Sequence, residues 1–176
     1  MPDGYTHIYY GSGKGKTTAA LGLALRAAGC GKNVVVVQFL KDWNCGEHNS
    51  LALLTNVTVI RGKPTGGLFV RDMNDGEKAI AKAIHDENLA NAIELAENGK
   101  CDMLVLDEAI DAYQLGALDA EMFENLLCNK PKPLELVITG HNPNDRLLEN
   151  ADYVTEMVKH KHPYDRGTPA RRGIEF

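Results

Sequence analysis

The 176-residue chain has no C-x-x-C pair; its four cysteines, Cys30, Cys45, Cys101 and Cys128, are scattered. That spacing suits unpaired thiols in a reducing cytoplasm better than a disulfide framework. Cys45 falls in a polar stretch and is read as an exposed thiol of ordinary reactivity. Long apolar runs are also missing. The longest run of strongly apolar residues is Val34 to Val37, far short of a membrane span. There is no basic excess: 19 Lys and Arg against 24 Asp and Glu give a net charge of −5. A broad basic surface is therefore absent, and nucleic acid is not an expected partner. The opening Met1-Pro2-Asp3-Gly4 does not read as a signal peptide. No repeat or low-complexity segment interrupts the chain. What is present is ordinary for a globular protein, with 44% hydrophobic and 24% charged residues. One domain over residues 1–176 is expected, with a C-terminal tail from about 160 to 176.

The most informative stretch is Tyr10-Gly11-Ser12-Gly13-Lys14-Gly15-Lys16-Thr17-Thr18. A β-rich run, Tyr5 to Tyr10, leads into it, and an Ala- and Leu-rich helical run, Thr18 to Ala28, leads out. A glycine-rich turn between a strand and a helix is a phosphate cradle. Its N–H groups converge, and the helix N-terminus adds partial positive charge. Lys16 can reach the outer phosphates, and Thr17 can offer its hydroxyl to Mg²⁺. The usual P-loop is G-x-x-x-x-G-K-[ST]. Here Gly15-Lys16-Thr17 fits, but Tyr10 stands at the first glycine position and Gly11 is one residue too close. A dinucleotide fingerprint fails, because the third glycine position is Lys16.

The helix after the loop is expected to bury Leu21, Leu25 and Ala28 and to stop near Gly29 and Gly31. Asn33 to Phe39 is a continuous β-branched run, as in a parallel strand covered on both faces. Leu40 to Ser50 reads as a polar loop after that strand, where open α/β sheets place ligands. Asn56 to Arg61 is a third strand, followed by an irregular stretch from Gly62 to Asn74. A helical segment from about Asp75 to Asn98 has two apolar sets slightly out of phase, which predicts a kink or two helices near Asp86 to Asn88. Cys101 to Asp107 is the fourth strand, Ala109 to Gly116 a connector, and Asp119 caps a helix to about Cys128. Leu134 to Thr139 is the fifth strand, Asn144 to Asn150 a short helix, and Tyr153 to Lys159 a sixth strand. This alternation predicts an α/β fold with a doubly wound, mainly parallel sheet of about six strands.

The fourth strand ends in Asp107-Glu108, a Walker B-like arrangement that brings a carboxylate beside the phosphate cradle to hold Mg²⁺ directly or through water. The residues thus describe a magnesium–nucleoside triphosphate site. They leave three chemistries open: phosphoryl transfer, hydrolysis coupled to motion, or attack elsewhere on the nucleotide with the phosphates as handle and leaving group.

The whole chain resembles the P-loop-type ATP:corrinoid adenosyltransferases. The resemblance rests on the short loop Tyr10 to Ala20 and on Val37-Gln38-Phe39-Leu40-Lys41, Gly46-Glu47 and Val105-Leu106-Asp107-Glu108. It continues in Thr139-Gly140-His141-Asn142, in Lys161-His162-Pro163-Tyr164-Asp165, and in Ala170-Arg171-Arg172-Gly173-Ile174-Glu175. It implies a P-loop NTPase-like (RecA-like) fold and the third chemistry. A corrinoid reduced to Co(I) attacks the 5′ carbon of ATP, triphosphate leaves whole, and adenosylcobalamin is made or salvaged. The implied cofactor is Mg²⁺ or Mn²⁺, with ATP as co-substrate and the corrinoid as substrate. A reduced flavoprotein is the implied electron donor, and a cytoplasmic homodimer the implied assembly.

The resemblance assigns Lys16, Thr17 and Glu108 to catalysis. Gly11, Ser12, Gly13, Lys14, Gly15, Lys16, Thr17, Thr18, Lys41, Asn142 and Arg171 are assigned to ATP, and Phe69 to the corrinoid. Thr17 and Glu108 are assigned to the metal, with Asp107 behind them. The chain departs from the family where an aromatic pair lines the corrinoid pocket: it has Gly62-Lys63-Pro64-Thr65-Gly66-Gly67-Leu68-Phe69, with Phe69 as stand-in. The family's N-terminal extension is also not expected here. Two other classes remain as alternatives, an ATPase module that drives a partner protein and a corrinoid- or nucleotide-binding protein without turnover.

Other residues carry two readings. His160 and His162 share a face if the sixth strand runs on; two ligands are too few for a metal, so they read as solvated surface. Arg171 and Arg172 are either a solvated basic tail or a tail folded onto the triphosphate or a second subunit. Trp43 is core filler or a corrinoid contact. His141 and Asn142 sit at a strand's carboxyl end, where ribose or phosphate is in reach.

Overall fold

The protein is described by a computed structural model over residues 3–41, 45–62 and 73–175. Six strands form one all-parallel sheet: β1 (Thr6–Tyr10), β2 (Val34–Gln38), β3 (Val57–Arg61), β4 (Met103–Asp107), β5 (Glu135–Thr139) and β6 (Tyr153–Glu156), in the order β3-β2-β4-β5-β1-β6. The doubly wound α/β fold expected from the alternation is the one observed. The helices are α1 (Lys16–Gly29), α2 (Gly46–Leu51), α3 (Asp75–Glu97), α4 (Ala109–Gln114), α5 (Ala120–Asn129) and α6 (Asp145–Glu149).

The strand residues split by parity into two cores. Val35, Val37, Leu104, Leu106, Leu136 and Ile138 pack with Leu89 and Ala92 of α3, Ile110 of α4 and Phe123 of α5. On the other face Val34, Val36, Met103, Val105 and Val137 pack with Ala20, Ala24 and Ala28 of α1. Strands β2 and β4 are buried along their whole length, which explains their unbroken apolar runs. Edge strand β6 is exposed at all four residues.

Several expectations need correction. Helix α1 turns Ala20, Ala24 and Ala28 to the sheet, and Leu25 is 56% exposed. The phosphate loop fixes where the helix begins and hence its rotation, and the alanine stripe lets it lie close to the strands. Helix α3 is assigned as a single helix of 23 residues, and its buried stripe runs through Ala81, His85, Asn88, Leu89, Ala92 and Ala96. The phase slip vanishes once two polar residues, His85 and Asn88, are counted on the buried side. The connector after Glu108 is mostly helix, α4, started by Glu108 at φ 61°. The polar stretch after β2 contains α2, and Cys45 at its start is buried rather than exposed. Strand β6 ends at Glu156, so His160 and His162 do not share a strand face. His162 instead caps a 3₁₀ turn, Pro163–Arg166, by accepting the Tyr164 N–H at 3.2 Å.

The cap read from sequence is present: Asp119 accepts the Met122 N–H. Two further caps were not read from sequence: Asn144 accepts the Leu147 N–H, and Asn74 accepts the Glu77 N–H.

Candidate active site

The carboxyl ends of the strands converge on a cleft of about 310 Å³. Its floor is the loop between β1 and α1. The N–H groups of Lys14 to Thr18 have no acceptor among the described residues, and α1 has no acidic side chain in its first turn. A bare helix N-terminus of this kind favours an anion. Gly15 precedes the helix at φ 122°, a conformation that L side chains rarely adopt.

The loop is shaped from outside by the segment after β6. Gly13 donates its N–H to the Met157 carbonyl at 2.6 Å. A Cβ on Gly13 would sit 2.7 Å from that oxygen, so the close approach requires glycine. The Gly11 N–H goes to the His141 carbonyl at 3.0 Å and is not turned into the cleft. Lys159 N–H reaches Ser12 Oγ at 3.4 Å. Lys16 curls back to donate to the carbonyls of Gly11 (2.8 Å) and Gly13 (3.0 Å). Burial lowers its pKa, against the opposing pull of Asp111, Glu108 and Asp107.

Asp107 ends β4 and is completely buried. Its Oδ1 accepts from the hydroxyls of Thr17 (2.9 Å) and Thr139 (2.8 Å). Its Oδ2 accepts from Lys41 Nζ (2.5 Å) and Gln38 Nε2 (3.3 Å). Four donors, one of them the Lys41 cation, meet the requirement of a buried carboxylate. Lys41 also lies 3.5 Å from Glu108. Burial works against the Lys41 charge, but Asp107, Glu108 and Glu47 outweigh it and raise its pKa. Lys41 thus serves Asp107 and does not line the cleft. Glu108 does line it, and burial pushes its pKa up to about 7; Lys41 pulls downward, while Asp107 and Asp111 add to the rise. Thr139, from the strand between β4 and β1, accepts the Glu108 N–H at 2.9 Å and so ties the two acids together.

These donors fit a hard divalent cation. The Thr17 hydroxyl hydrogen is committed to Asp107 and one lone pair faces Lys41 Nζ at 3.4 Å, which leaves the other lone pair for a cation. Glu108 is a cleft-lining carboxylate whose charge is disfavoured mainly by burial, even with Lys41 at 3.5 Å. Among the described residues no three His, Cys, Asp or Glu side chains gather as a metal site of their own. Magnesium is ordinarily held by one or two protein ligands together with phosphate oxygens.

The tail closes the cleft with His162, Ile174 and Glu175. Arg171 is not among the residues that line the cleft, although its partner Glu175 is. It forms a two-pronged pair with Glu175 at 3.0 and 3.2 Å, which lowers the Glu175 pKa to about 2. Asn142 is exposed, and its carbonyl accepts from Gln114 Nε2; its neighbour His141 lines the cleft, held by Asp111 at 2.9 Å. Phe69 and Trp43 lie outside the described residues. The sequence reading did not single out Thr139, Asp111, Met157 or Glu175 as site residues. Thr139 and Glu175 stand within the stretches that carry the family resemblance, and Thr139 also lies at a strand's carboxyl end; Asp111 and Met157 carried no such signal.

A family model for the ATP:corrinoid adenosyltransferases BtuR/CobO/CobP matches residues 2–176. The corrinoid adenosyltransferase of Escherichia coli K12 is 33% identical over 170 residues, covering 96% of this chain and 84% of that protein. The corrinoid adenosyltransferase CobA of Salmonella typhimurium is 34% identical, with the same coverage. One from a Sinorhizobium species is 34% identical, covering 94% and 77%. Among solved structures, ATPase domains 2 and 3 of EssC from Geobacillus thermodenitrificans match with a TM-score of 0.51 at 15% identity. That match covers 98% of this chain and 36% of the solved one, and it carries the P-loop ATPase fold alone. With loop, paired acids and full-length sequence match in agreement, the chain belongs to the ATP:corrinoid adenosyltransferase family, enzymes that move the adenosyl group of ATP to a corrinoid.

Proposed function

We propose that this chain performs the transfer by binding ATP through its triphosphate on the N–H groups of residues 14 to 18. The observation that carries the reading is that row of unpartnered N–H groups beside the Thr17–Asp107 bond and Glu108. Lys16 swings from the loop carbonyls to the phosphates, which offer a stronger acceptor. Thr17 and Glu108 hold Mg²⁺ (or Mn²⁺), with Asp107 orienting the threonine. The bound ion would supply positive charge where triphosphate departs. Ser12, Gly13 and the side chain of Lys14 complete the cradle, and Gly11 shapes it through His141.

In the reaction, the cobalt(I) electron pair forms the bond to C5′ of ATP. The C5′–O bond breaks, and triphosphate leaves with the bonding pair. No proton is removed from the nucleophile, so no general base is needed. The protein's task is to orient C5′, exclude water and stabilise the leaving charge with Lys16 and the cradle. The corrinoid is expected against residues 62–69, including Phe69. A reduced flavoprotein as electron donor, a homodimer and a cytoplasmic location belong to the same reading. No described helix is long and apolar enough to cross a membrane.

The test is a product assay with reduced cobalamin, ATP and Mg²⁺. Adenosylcobalamin with one intact triphosphate per turnover is expected. ADP and phosphate without a corrinoid product would overturn the reading.

A further inference from the structure

Beside the cleft, a chain of polar side chains runs along the strand ends from Asp107 to Arg61. Arg61, Gln38 and Asp107 are register partners at the carboxyl ends of β3, β2 and β4. His48, on α2, joins the first two. Arg61 NH1 lies 2.6 Å from His48 Nδ1, His48 Nε2 contacts Gln38 Oε1, and Gln38 Nε2 reaches Asp107 Oδ2 at 3.3 Å and Glu47 Oε1 at 3.4 Å.

Every hydrogen in this chain has one possible direction. A guanidinium can only donate, so His48 Nδ1 accepts from Arg61. The Cys45 N–H points to the same nitrogen at 3.3 Å. His48 is then neutral, with its proton on Nε2, and donates to Gln38 Oε1. Burial and the adjacent Arg61 lower the His48 pKa, in keeping with a neutral ring. Gln38 faces two carboxylates, Glu47 and Asp107, with its NH₂. The flipped amide would turn a carbonyl oxygen on both acids and an N–H on the His48 N–H. The polar network therefore fixes the amide orientation.

We propose that Gln38, His48 and Arg61 are positioning residues for the adenosyl transfer, a one-way hydrogen-bond chain that sets Asp107 and, through it, the Thr17 hydroxyl. The inference rests on the reading of Thr17 and Asp107 given above. None of the three side chains lines the phosphate cleft. They act by holding Gln38 so that Asp107 Oδ2 is filled from Gln38 and Lys41, which leaves Oδ1 for Thr17 and Thr139. If the Gln38 amide turned, its oxygen would oppose Oδ2 and the carboxylate would rotate away from Thr17.

The test uses full-length His48→Ala, His48→Gln, Arg61→Ala and the double variant His48→Ala/Arg61→Ala. ATP binding is measured calorimetrically without corrinoid, once with Mg²⁺ and once with a chelator, and kcat and KM are measured separately. His48→Ala is expected to lower kcat about tenfold and to shrink the Mg²⁺-dependent gain in ATP affinity, with chelator-measured affinity unchanged. His48→Gln should recover most of both, because its amide nitrogen can occupy the place of Nε2. Arg61→Ala should act in the same direction, and the double variant should be no worse than His48→Ala, as expected for links of one chain. Arg61→Ala also reads the chain without emptying the His48 site, should His48→Ala fold poorly. A wild-type kcat and Mg²⁺ gain in His48→Ala, or independent multiplying losses in the double variant, would overturn the proposal. Thr17→Ala and Asp107→Asn are run alongside. If these two leave transfer intact, the reading of the phosphate site itself falls and takes the chain with it; if they abolish transfer while the His48 series is silent, only the positioning chain falls.

Discussion

Thr17 and Asp107, ninety residues apart in sequence, share a 2.9 Å hydrogen bond in which the hydroxyl donates to a completely buried carboxylate. The bond aims the threonine oxygen at the cleft and joins the phosphate loop to β4. Thr17→Ala should lower the adenosylation rate by about a hundredfold or more, in the range seen when one preorganised electrostatic contact is removed. Thr17→Ser, which keeps the hydroxyl, should stay within about tenfold of wild type on the same reasoning. Rates with saturating ATP and reduced cobalamin decide it.

Lys41 should matter to stability as well as to activity. It is the ion-pair partner of Asp107, at 2.5 Å, with its side chain 9% exposed. Lys41→Met leaves a buried carboxylate without its cation and should cost about 3 kcal/mol or more. Adding Asp107→Asn should recover part of that loss while abolishing transfer. Urea unfolding of the nucleotide-free protein measures both, and a Lys41→Met variant as stable as wild type would refute the pairing argument.

Glu108 predicts a pH dependence of opposite sign to that of most carboxylates. Its pKa in the folded chain is about 7, above the ordinary 4.5. Between those values the folded state holds more protons than the unfolded one, so stability falls as pH rises through the window and levels off above about 7. Glu108→Gln, which stays neutral, should remove this slope and raise Tm at pH 8 in the presence of a chelator. Thermal scans of both proteins from pH 5 to 8 would show it; parallel curves would contradict the assignment.

Gly13→Ala should spare the fold and damage the loop. The new methyl group would lie 2.7 Å from the Met157 carbonyl oxygen, closer than real Cβ contacts come. The Gly13–Met157 bond should break and ATP affinity fall at least tenfold, with far-UV circular dichroism unchanged. Equilibrium binding of ATP is the readout, and wild-type affinity would show that the Met157 contact is dispensable.

Much of the frame was legible because it rests on local signals. Val34 to Val37 could only be a buried strand, Gly15-Lys16-Thr17 could only open a helix, and Asp119 announces its helix. The errors arise where tertiary contacts choose between near-equal options. Leu25 outranks Ala24 in hydrophobicity, yet the phosphate loop sets the helix phase and exposes the leucine. Helix α4 has only six residues and begins from Glu108 in a left-handed conformation, so no cap pattern marks it. Within the site, Lys16, Thr17 and the paired acids were visible as a motif. The roles of Thr139 and His48 were not, because their importance lies in which neighbours they touch: Asp107 for one, Gln38 and Arg61 for the other. The pairing of Arg171 with Glu175, four residues on and at the cleft wall, was likewise a matter of contacts rather than of motif.

The hold of Met157 and Lys159 on Gly13 and Ser12 has a consequence for biogenesis. The loop is made near the start of translation, but the segment that shapes it emerges from the ribosome nearly 150 residues later, a delay of roughly 7 to 30 s at ordinary elongation rates. Until then the nascent chain carries the nucleotide motif without its mould. Acquisition of ATP affinity should therefore be a late event in synthesis, and chains stalled before residue 157 should be poor competitors for the cell's nucleotide pool.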